Sequence, residues 1–174
     1  MNTLPDVIQP GLTILFIGFN PSLVSAEKGH HFAGPSNRFW GLLFDAGLTD
    51  RKYRAEEDQA LLKLGYGITN IVARPTKAAA EIARSEYEQG RMALQKKLMD
   101  YRPKIACYVG IGVYRQFARS TSVSCGLQPS SVVEGIADFV VSSSSGLNRI
   151  PLAEQRSWFG ELKSFMETMA VQKK

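Results

Sequence analysis

Cysteine is scarce in this sequence. Cys107 and Cys125 are the only two in 174 residues, and two thiols cannot supply the four thiolate ligands of a zinc or iron–sulfur site that is held by cysteine alone. Cys107 lies in an apolar run typical of a strand, so it is predicted to be a core residue. We expect no disulfide, because the remaining features are those of a cytoplasmic chain.

The sequence also lacks a hydrophobic run of about 20 residues, the length of a helix that crosses a bilayer. Its first ten residues, MNTLPDVIQP, have no basic segment followed by an apolar one, as a secretory signal would. We therefore expect a cytoplasmic protein that makes no membrane contact. No internal repeat or linker-like stretch interrupts the sequence, so residues 1–174 are predicted to form a single domain.

Acidic residues are outnumbered by basic ones. The chain has 16 Asp and Glu against 21 Lys and Arg, a formal charge of +5 and a pI of about 9.3. A basic chain suits a nucleic-acid partner, because its charges neutralise phosphates. Many basic proteins bind no DNA, however, and charge alone supports the two alternatives about equally.

Predicted strands and helices alternate along the chain. Apolar runs predict strands over residues 12–19, 68–72, 104–109 and 136–141, with an edge strand at 132–133. Spacing and end signals predict helices over residues 36–47, 54–64 and 85–101, one ending near 119 and one after Pro151. Residues 1–11 are predicted to be an irregular arm. The alternation predicts an α/β three-layer sandwich with a mainly parallel central sheet and helices on both faces.

The stretch from Leu12 to Trp40, LTILFIGFNPSLVSAEKGHHFAGPSNRFW, organises the chain. Its apolar start predicts a strand buried on both faces, and Pro21 prevents that strand from continuing. Asn20 is thereby placed at the carboxyl end of a central strand, where open α/β sheets bind ligands. The following residues are too polar for a core and too many for a simple turn, so they are predicted to form a functional loop before the next helix.

A second polar segment follows the last predicted strand. Residues 142–146, SSSSG, would lie at the same carboxyl edge as Asn20, so one pocket could use both segments. The Gly110-x-Gly112 pair lacks the rest of a dinucleotide fingerprint, and no nucleotide cofactor is expected. Taken without further information, Asn20 is also typical of a turn before proline and Asn70 of a capping residue.

Three segments resemble known motifs. GFNPS followed by KGHHFAGPSNRFW, then GITNIV with Arg74-Pro75-Thr76, and finally SGLNR are similar to those of the mismatch-specific uracil/thymine-DNA glycosylases. That family is a branch of the uracil-DNA glycosylase superfamily. The motifs occur in family order, and the resemblance covers residues from Leu12 to Met169. It implies a uracil-DNA glycosylase-like fold, and the scarcity of cysteine argues against the iron–sulfur branches of the superfamily.

The resemblance implies a role for each matched residue. Asn20 fills the position of the catalytic asparagine, and because an amide does not titrate usefully it would orient water rather than act as a base. Phe32 would stack on the flipped base, and Asn70 would pair with the uracil edge. The full implied base-binding set is Gly18, Phe19, Ser25, His31, Phe32 and Asn70. A core position for Phe32 and an ordinary surface position for His31 are the alternatives.

The SGLNR segment resembles the loop that wedges into the DNA stack. Leu147 would be the wedge, while the residues beside it would face the opposite base, namely Gly146, Asn148 and Arg149. A plain loop before a helix is the alternative. Some family members have Asn-Pro where this chain has Ser143-Ser144, which bears on loop stiffness and opposite-base preference. The implied phosphate contacts are Lys28, Arg38, Arg74, Lys77 and Ser145.

Together these features predict a monofunctional DNA glycosylase that needs no metal and no cofactor. It would excise uracil and related damaged pyrimidines from G·U mismatches in double-stranded DNA, as a monomer in a bacterial-type, nucleoid-associated setting. Because no lysine occupies position 20, no Schiff base and no strand cleavage are expected. The alternatives are a broad uracil glycosylase that also accepts single strands and A·U pairs, and a damage-sensing DNA-binding module without turnover.

Overall fold

The centre of the fold is a five-stranded sheet. The computed structural model describes residues 3–172. In spatial order the strands are β2, β1, β3, β5 and β4; the first four run parallel and β4 is antiparallel to β5. The strands are β1 (Ile14–Gly18), β2 (Tyr66–Asn70), β3 (Ile105–Val109), β4 (Gly126–Leu127) and β5 (Ala137–Val141). The predicted mainly parallel α/β sheet is confirmed.

Helices cover both faces of this sheet. They are α1 (Leu23–Lys28), α2 (Phe39–Asp45), α3 (Arg84–Tyr101), α4 (Ile111–Ala118) and α5 (Leu152–Gln172), with 3₁₀ segments at Ala55–Leu64 and Ala79–Glu81. Alternate residues of β1 point to opposite sides, because side chains in a strand alternate. Phe16 packs in a cluster with residues of α2 and α5, whereas Leu15 and Ile17 pack with residues of α3 and α4.

The central strands are buried on both faces, as their apolar sequences predicted. All five residues of β1 and all five of β3 are buried. Cys107 of β3 is fully buried and unpaired, which confirms its place in the core. Within residues 3–172, none of the helices is long and apolar enough to cross a membrane.

One helix lies where a loop was predicted. Ser22 caps α1 by accepting a hydrogen bond from the Ser25 N–H at 3.0 Å, and Gly29 ends it with a φ of 75°. The following helix α2 begins at Phe39, later than predicted, where the Asn37 side chain accepts the Phe39 N–H at 3.0 Å. The polar composition of residues 22–28 concealed a short capped helix.

Three other predictions of secondary structure were wrong in detail. Residues 55–64 form a 3₁₀ segment rather than an α-helix. Helix α3 starts at Arg84, one residue before its predicted start, and the Glu86 carboxylate accepts the backbone N–H of Ala83 there. The edge strand is β4 instead of residues 132–133, because the Val132 N–H donates to the buried Asp138 carboxylate at 3.0 Å and is unavailable for a sheet ladder.

The amino-terminal arm is irregular, as predicted, but it is firmly attached. Val7 is fully buried and exchanges two backbone hydrogen bonds with Ile68 of β2, at 2.9 and 2.8 Å. Gly67 makes this approach feasible, because a Cβ at that position would overlap the Val7 carbonyl oxygen. Residues 1 and 2 of the predicted arm lie outside the described residues.

Candidate active site

A cleft of about 330 Å³ lies at the carboxyl edge of the sheet. It is bordered by the ends of β1, β2 and β3 and by the loops that follow β1, β2 and β5, where parallel strands present ligand sites. The cleft brings together the predicted residues Gly18, Phe19, Asn20, Ser25, His31, Phe32, Asn70, Lys77, Ser145 and Leu147. The other predicted residues lie outside its lining, namely Lys28, Arg38, Arg74, Gly146, Asn148 and Arg149.

The Asn20 side chain is held in one orientation. Its Nδ2 donates to the carbonyl oxygen of Arg74 at 2.8 Å and to Oγ1 of Thr76 at 2.8 Å. The Thr76 hydroxyl in turn donates to the Ala78 carbonyl oxygen at 2.8 Å, so its oxygen is an acceptor for Asn20. Both amide hydrogens are thereby used, and Oδ1 has no partner among the described residues. The amide presents an acceptor to the cleft.

Thr76 was missed as a functional residue by sequence reasoning. It is 5% exposed, and its N–H donates to the Pro21 carbonyl at 3.2 Å, which ties the loop after β2 to the loop after β1. The Arg74-Pro75-Thr76 motif was the available signal. Nothing in that motif, however, indicates that its hydroxyl would meet an amide 56 residues earlier in the chain.

Asn70 and Phe32 approach each other across a residue without a side chain. Gly18 is the register partner of Asn70 in the paired strands β1 and β2. A Cβ on Gly18 would lie 2.8 Å from Asn70 Oδ1 and 3.8 Å from Phe32 Cζ, so any side chain at position 18 would displace the Asn70 amide. The Asn70 amide makes no hydrogen bond within residues 3–172, and no capping role is seen for it. Its donor and its acceptor are both available to a ligand.

Phe32 offers an aromatic face to the cleft. Its ring stacks on Phe39, with ring centroids 4.0 Å apart and planes 19° apart, so one face is covered. The ring borders the cleft, which leaves the other face for a flat ligand. Phe32 has a φ of 51°, a conformation that bulky residues rarely adopt and that clusters at functional sites.

Ser25 ties α1 to the segment that carries Phe32. It is 3% exposed, and its Oγ accepts hydrogen bonds from the Ala33 N–H at 3.0 Å and from the Ser22 hydroxyl at 3.1 Å. This serine therefore does not face the solvent. Ser25 borders the cleft and also satisfies a buried backbone donor.

His31 is buried, although a surface position was the alternative for it. Its ring Nε2 lies 2.9 Å from the Pro5 carbonyl oxygen, and its backbone N–H donates to the Asp58 carboxylate at 3.0 Å. Burial lowers the pKa of His31 below its ordinary value, so the ring is neutral at pH 7. A carbonyl can only accept, and Nε2 therefore carries the proton. His31 borders the cleft with that proton engaged by the arm.

Phe19 borders the cleft while its ring points into the core. The ring contacts the backbone at Gly112, where a Cβ would come within 2.7 Å of Phe19 Cζ, and it meets Tyr87 edge to face. The Phe19 carbonyl accepts the Val72 N–H at 2.9 Å. The ring thus anchors the end of β1 instead of stacking in the cleft.

The loop after β5, residues 142–150, holds Leu147 in the solvent. Leu147 is 88% exposed. Its N–H donates to Ser145 Oγ at 3.2 Å, and the Ser145 N–H donates to Ser143 Oγ at 3.2 Å. Asn148 braces the loop with both ends of its amide, donating to the Ser143 carbonyl at 2.8 Å and accepting the Ile150 N–H at 3.1 Å. The exposed leucine therefore stands on a structured loop.

This loop is also attached to the segment before α2. Gly146 packs so closely on Ser36 that a Cβ would lie 2.6 Å from the Ser36 Cβ. The Arg38 N–H donates to the Ser144 carbonyl at 2.8 Å, and its guanidinium donates to the Asn148 carbonyl at 3.3 Å. Arg38 was predicted as a phosphate contact, and in this structure it joins the two loops.

The remaining predicted phosphate contacts differ in their surroundings. Lys28, Lys77 and Arg149 are exposed and have no ion-pair partner among the described residues. Arg74 is instead paired with Glu86, at 2.6 Å between Nε and Oε1, and this hydrogen-bonded pair holds the pKa of Glu86 at about 2. Residues 3–172 contain no group of three or more His, Cys, Asp or Glu side chains arranged to hold a metal ion.

Comparison with known proteins identifies the family. Residues 5–165 match the uracil DNA glycosylase superfamily. The chain belongs to this superfamily. The fold agrees with that of a candidate uracil DNA glycosylase from Methanosarcina acetivorans, solved by solution NMR, with a TM-score of 0.61 and 20% identity. The match covers 93% of this chain and 98% of the other, so the shared fold extends over nearly all of both proteins.

Proposed function

We propose that this superfamily member is a monofunctional glycosylase that excises uracil from G·U mismatches in double-stranded DNA. Membership of the superfamily supports uracil excision from DNA in general. The observation that carries the proposal is the locked Asn20 amide, whose acceptor oxygen faces a cleft shared with Phe32 and Asn70. These three groups correspond to the three needs of the reaction: a held water, a stacking face and a partner for the base edge.

The reaction begins with rotation of the target nucleotide out of the duplex, since its anomeric carbon cannot be reached inside the stack. Leu147 is suited to fill the resulting gap, because an apolar side chain on a braced, exposed loop can insert between bases. Backbone groups beside it, from Gly146 to Arg149, would face the orphaned guanine. This feature supports a duplex substrate over a single strand.

Bond cleavage is hydrolytic in this proposal. The bond between the anomeric carbon and the base nitrogen breaks, its electron pair leaves on the base, and the sugar becomes oxocarbenium-like. A water held by Asn20 Oδ1 then forms the new carbon–oxygen bond and loses its proton to solvent. Asn20 orients the water without taking the proton, because an amide has no useful pKa.

The departing base is stabilised at its edge and on its face. The Asn70 amide can accept from uracil N3–H and donate to O4, where negative charge accumulates as the bond breaks. Phe32 covers one face of the ring. Asn20 is not a lysine, so no covalent Schiff base forms and the DNA strand stays intact after base loss.

Labelled oligonucleotides test the proposal. The full chain is incubated with duplexes carrying G·U, A·U or G·T pairs and with a single strand containing uracil, and alkaline workup reveals abasic sites. We expect release from G·U to exceed release from the other three substrates, and no strand break before alkali. Equal release from all uracil substrates would indicate a broad glycosylase. Binding without release would indicate a damage-sensing module.

A further inference from the structure

The amino-terminal arm, here residues 3–8, contributes a wall to the candidate active site. Leu4 is half-buried and borders the same cleft as Asn20 and Asn70. Each of the three successive residues after Leu4 is hydrogen-bonded to a residue far along the chain.

The first attachment is the backbone pairing of Val7 with Ile68. It adds the arm to the outer edge of β2, in antiparallel orientation. Val7 is fully buried, so this pairing also contributes to the core. Because the pairing is antiparallel, the residues that precede Val7 lie toward the carboxyl end of β2, where Asn70 lies.

The second attachment is an ion-pair cluster around Asp6. Thr69 Oγ1 donates to Asp6 Oδ1 at 2.8 Å, and Lys97 of α3 donates to the other carboxylate oxygen and to Thr69 Oγ1. Thr69 is fully buried and directly precedes Asn70 in β2. The arm is therefore tied to the strand residue adjacent to the base-reading amide.

The third attachment is the hydrogen bond from His31 Nε2–H to the Pro5 carbonyl, at 2.9 Å. Pro5 adjoins Leu4, and His31 adjoins Phe32, the aromatic residue of the cleft. His31 lies close to the position of Ser25 as well, because the preceding His30 N–H donates to the Ser25 carbonyl at 3.1 Å. Leu4, His31 and Ser25 thus belong to one wall.

We propose that Leu4 is a specificity-determining residue that limits the size of the group carried at position 5 of the flipped pyrimidine, and that His31 is a positioning residue acting through Pro5. This inference rests on the proposed function of the same cleft. A half-buried leucine gains further apolar burial only when something covers it, and a base seated on Phe32 would do so. The third attachment, the hydrogen bond between His31 and Pro5, places Leu4 against the flipped base rather than in solvent.

The experiment uses duplexes with 5-fluorouracil, 5-bromouracil or 5-iodouracil opposite guanine. These bases leave at different rates, so each variant's single-turnover rate is divided by the wild-type rate on the same base. For Leu4→Ala this quotient is expected to rise by about tenfold from the fluoro to the iodo substrate, the discrimination typical of a small apolar group in a pocket. For Leu4→Trp it is expected to fall along the same series.

Leu23→Ala is the matched control. Leu23 is another partly exposed leucine near the cleft, 46% exposed, but it does not border the cleft. Its quotient should be the same for all three bases. A size trend in Leu23→Ala equal to that of Leu4→Ala would contradict the assignment to Leu4.

Variants of His31 test the positioning role. Glutamine can place an N–H near Nε2 and keep the bond to Pro5, whereas leucine cannot donate. We expect His31→Gln to keep the wild-type preference, His31→Leu to reproduce the trend of Leu4→Ala, and the double variant Leu4→Ala/His31→Leu to show no additional trend. Faster hydrogen exchange at the Val7 amide in His31→Leu, but not in His31→Gln, would report loosening of the arm.

The outcomes distinguish a failure of this inference from a failure of the proposed glycosylase function. Normal uracil release together with flat quotients for Leu4→Ala and Leu4→Trp would overturn the role of Leu4 alone. Equal size trends in His31→Gln and His31→Leu would overturn the positioning role of His31. Absence of release from every substrate by the unaltered chain would overturn the proposed function, and this inference with it.

Discussion

The cleft and the Leu147 loop lie at the same edge of the sheet but are built in opposite ways. Around Asn20 the polar side chains are buried or half-buried and tied to residues far along the chain, such as Arg74 and Thr76. The Leu147 loop is held chiefly by bonds between residues two to five positions apart, and its apolar tip is 88% exposed. One region depends on the whole fold, whereas the other is largely a local structure attached to it.

In the proposed function, this difference corresponds to two separate tasks. Chemistry needs groups fixed to a fraction of an ångström, which long-range bonds in a packed site supply. A wedge must enter DNA and leave it, so it needs an exposed side chain on a rigid supporting loop instead. Substitutions in the cleft should therefore change base release and often stability, while substitutions at the loop tip should change flipping and leave stability intact.

Asn20→Ala should have the largest effect. Without the amide, the water is no longer held, and single-turnover uracil release from G·U should fall about 100-fold or more. Binding to the mismatched duplex, measured by fluorescence anisotropy, should change less than threefold because Asn20 positions water rather than DNA. Release near the wild-type rate would remove Asn20 from the mechanism.

Thr76→Ala and Thr76→Ser form a matched pair that sharpens this prediction. Alanine leaves one Asn20 hydrogen without its partner, so release should fall about tenfold, while serine keeps the hydroxyl and should restore most of the rate. Equal loss in both variants would mean that Thr76 acts through packing and not through the amide.

Asn70→Asp should reduce uracil release by about 10-fold to 100-fold. A carboxylate cannot donate to uracil O4, and its charge repels the anion that develops on the departing base. The side chain is nearly unchanged in size, so the melting temperature should stay within a few degrees of wild type. Single-turnover rates and a thermal melt check both points. Undiminished uracil release would show that the Asn70 amide does not contact the base edge.

Leu147→Ala should weaken flipping about tenfold, since unstacking costs a few kcal/mol per step and the wedge offsets part of it. A fluorescent base analogue beside the lesion should report a smaller flipped population. The melting temperature should not change, because surface substitutions are usually within about 0.5 kcal/mol. A lower melting temperature with normal flipping would reverse the proposed contrast between loop and cleft.

Ser25→Ala should have the smallest effect on activity. Ser25 borders the cleft, and we expect its hydroxyl to crowd the 5-methyl of thymine, so the ratio of G·T to G·U release should rise about fivefold in the variant. Stability should also fall by about 1–3 kcal/mol, because the buried Ala33 N–H loses its acceptor.

Ser22→Ala is the control for that variant. It removes the cap of α1 and should cost about 1 kcal/mol of stability, yet leave the G·T to G·U ratio unchanged. Rates on both substrates, together with urea unfolding, separate the two effects. An unchanged ratio in Ser25→Ala would exclude Ser25 as the thymine filter.

The predictions about the sheet and its carboxyl edge depended on strong local patterns. The apolar runs at β1 and β3 are long enough to show burial on both faces, and Pro21 marks where β1 must stop. Short elements were missed for the corresponding reason. The six residues of α1 are too few to show a helical period. The only local signals for a helix there were Ser22 at its amino end and Gly29 at its carboxyl end.

Local periodicity and the order of residue types were enough to predict the parallel α/β sheet and the placement of Asn20 and Asn70 at strand ends, and the family motifs are read directly from the residues. The hydrogen bonds from Asn20 to Thr76 and from His31 to Pro5 are seen only in the folded chain. Those contacts join residues 56 and 26 positions apart. Contacts between such distant residues leave no periodic trace in a sequence, because only the folded sheet brings them within hydrogen-bonding distance.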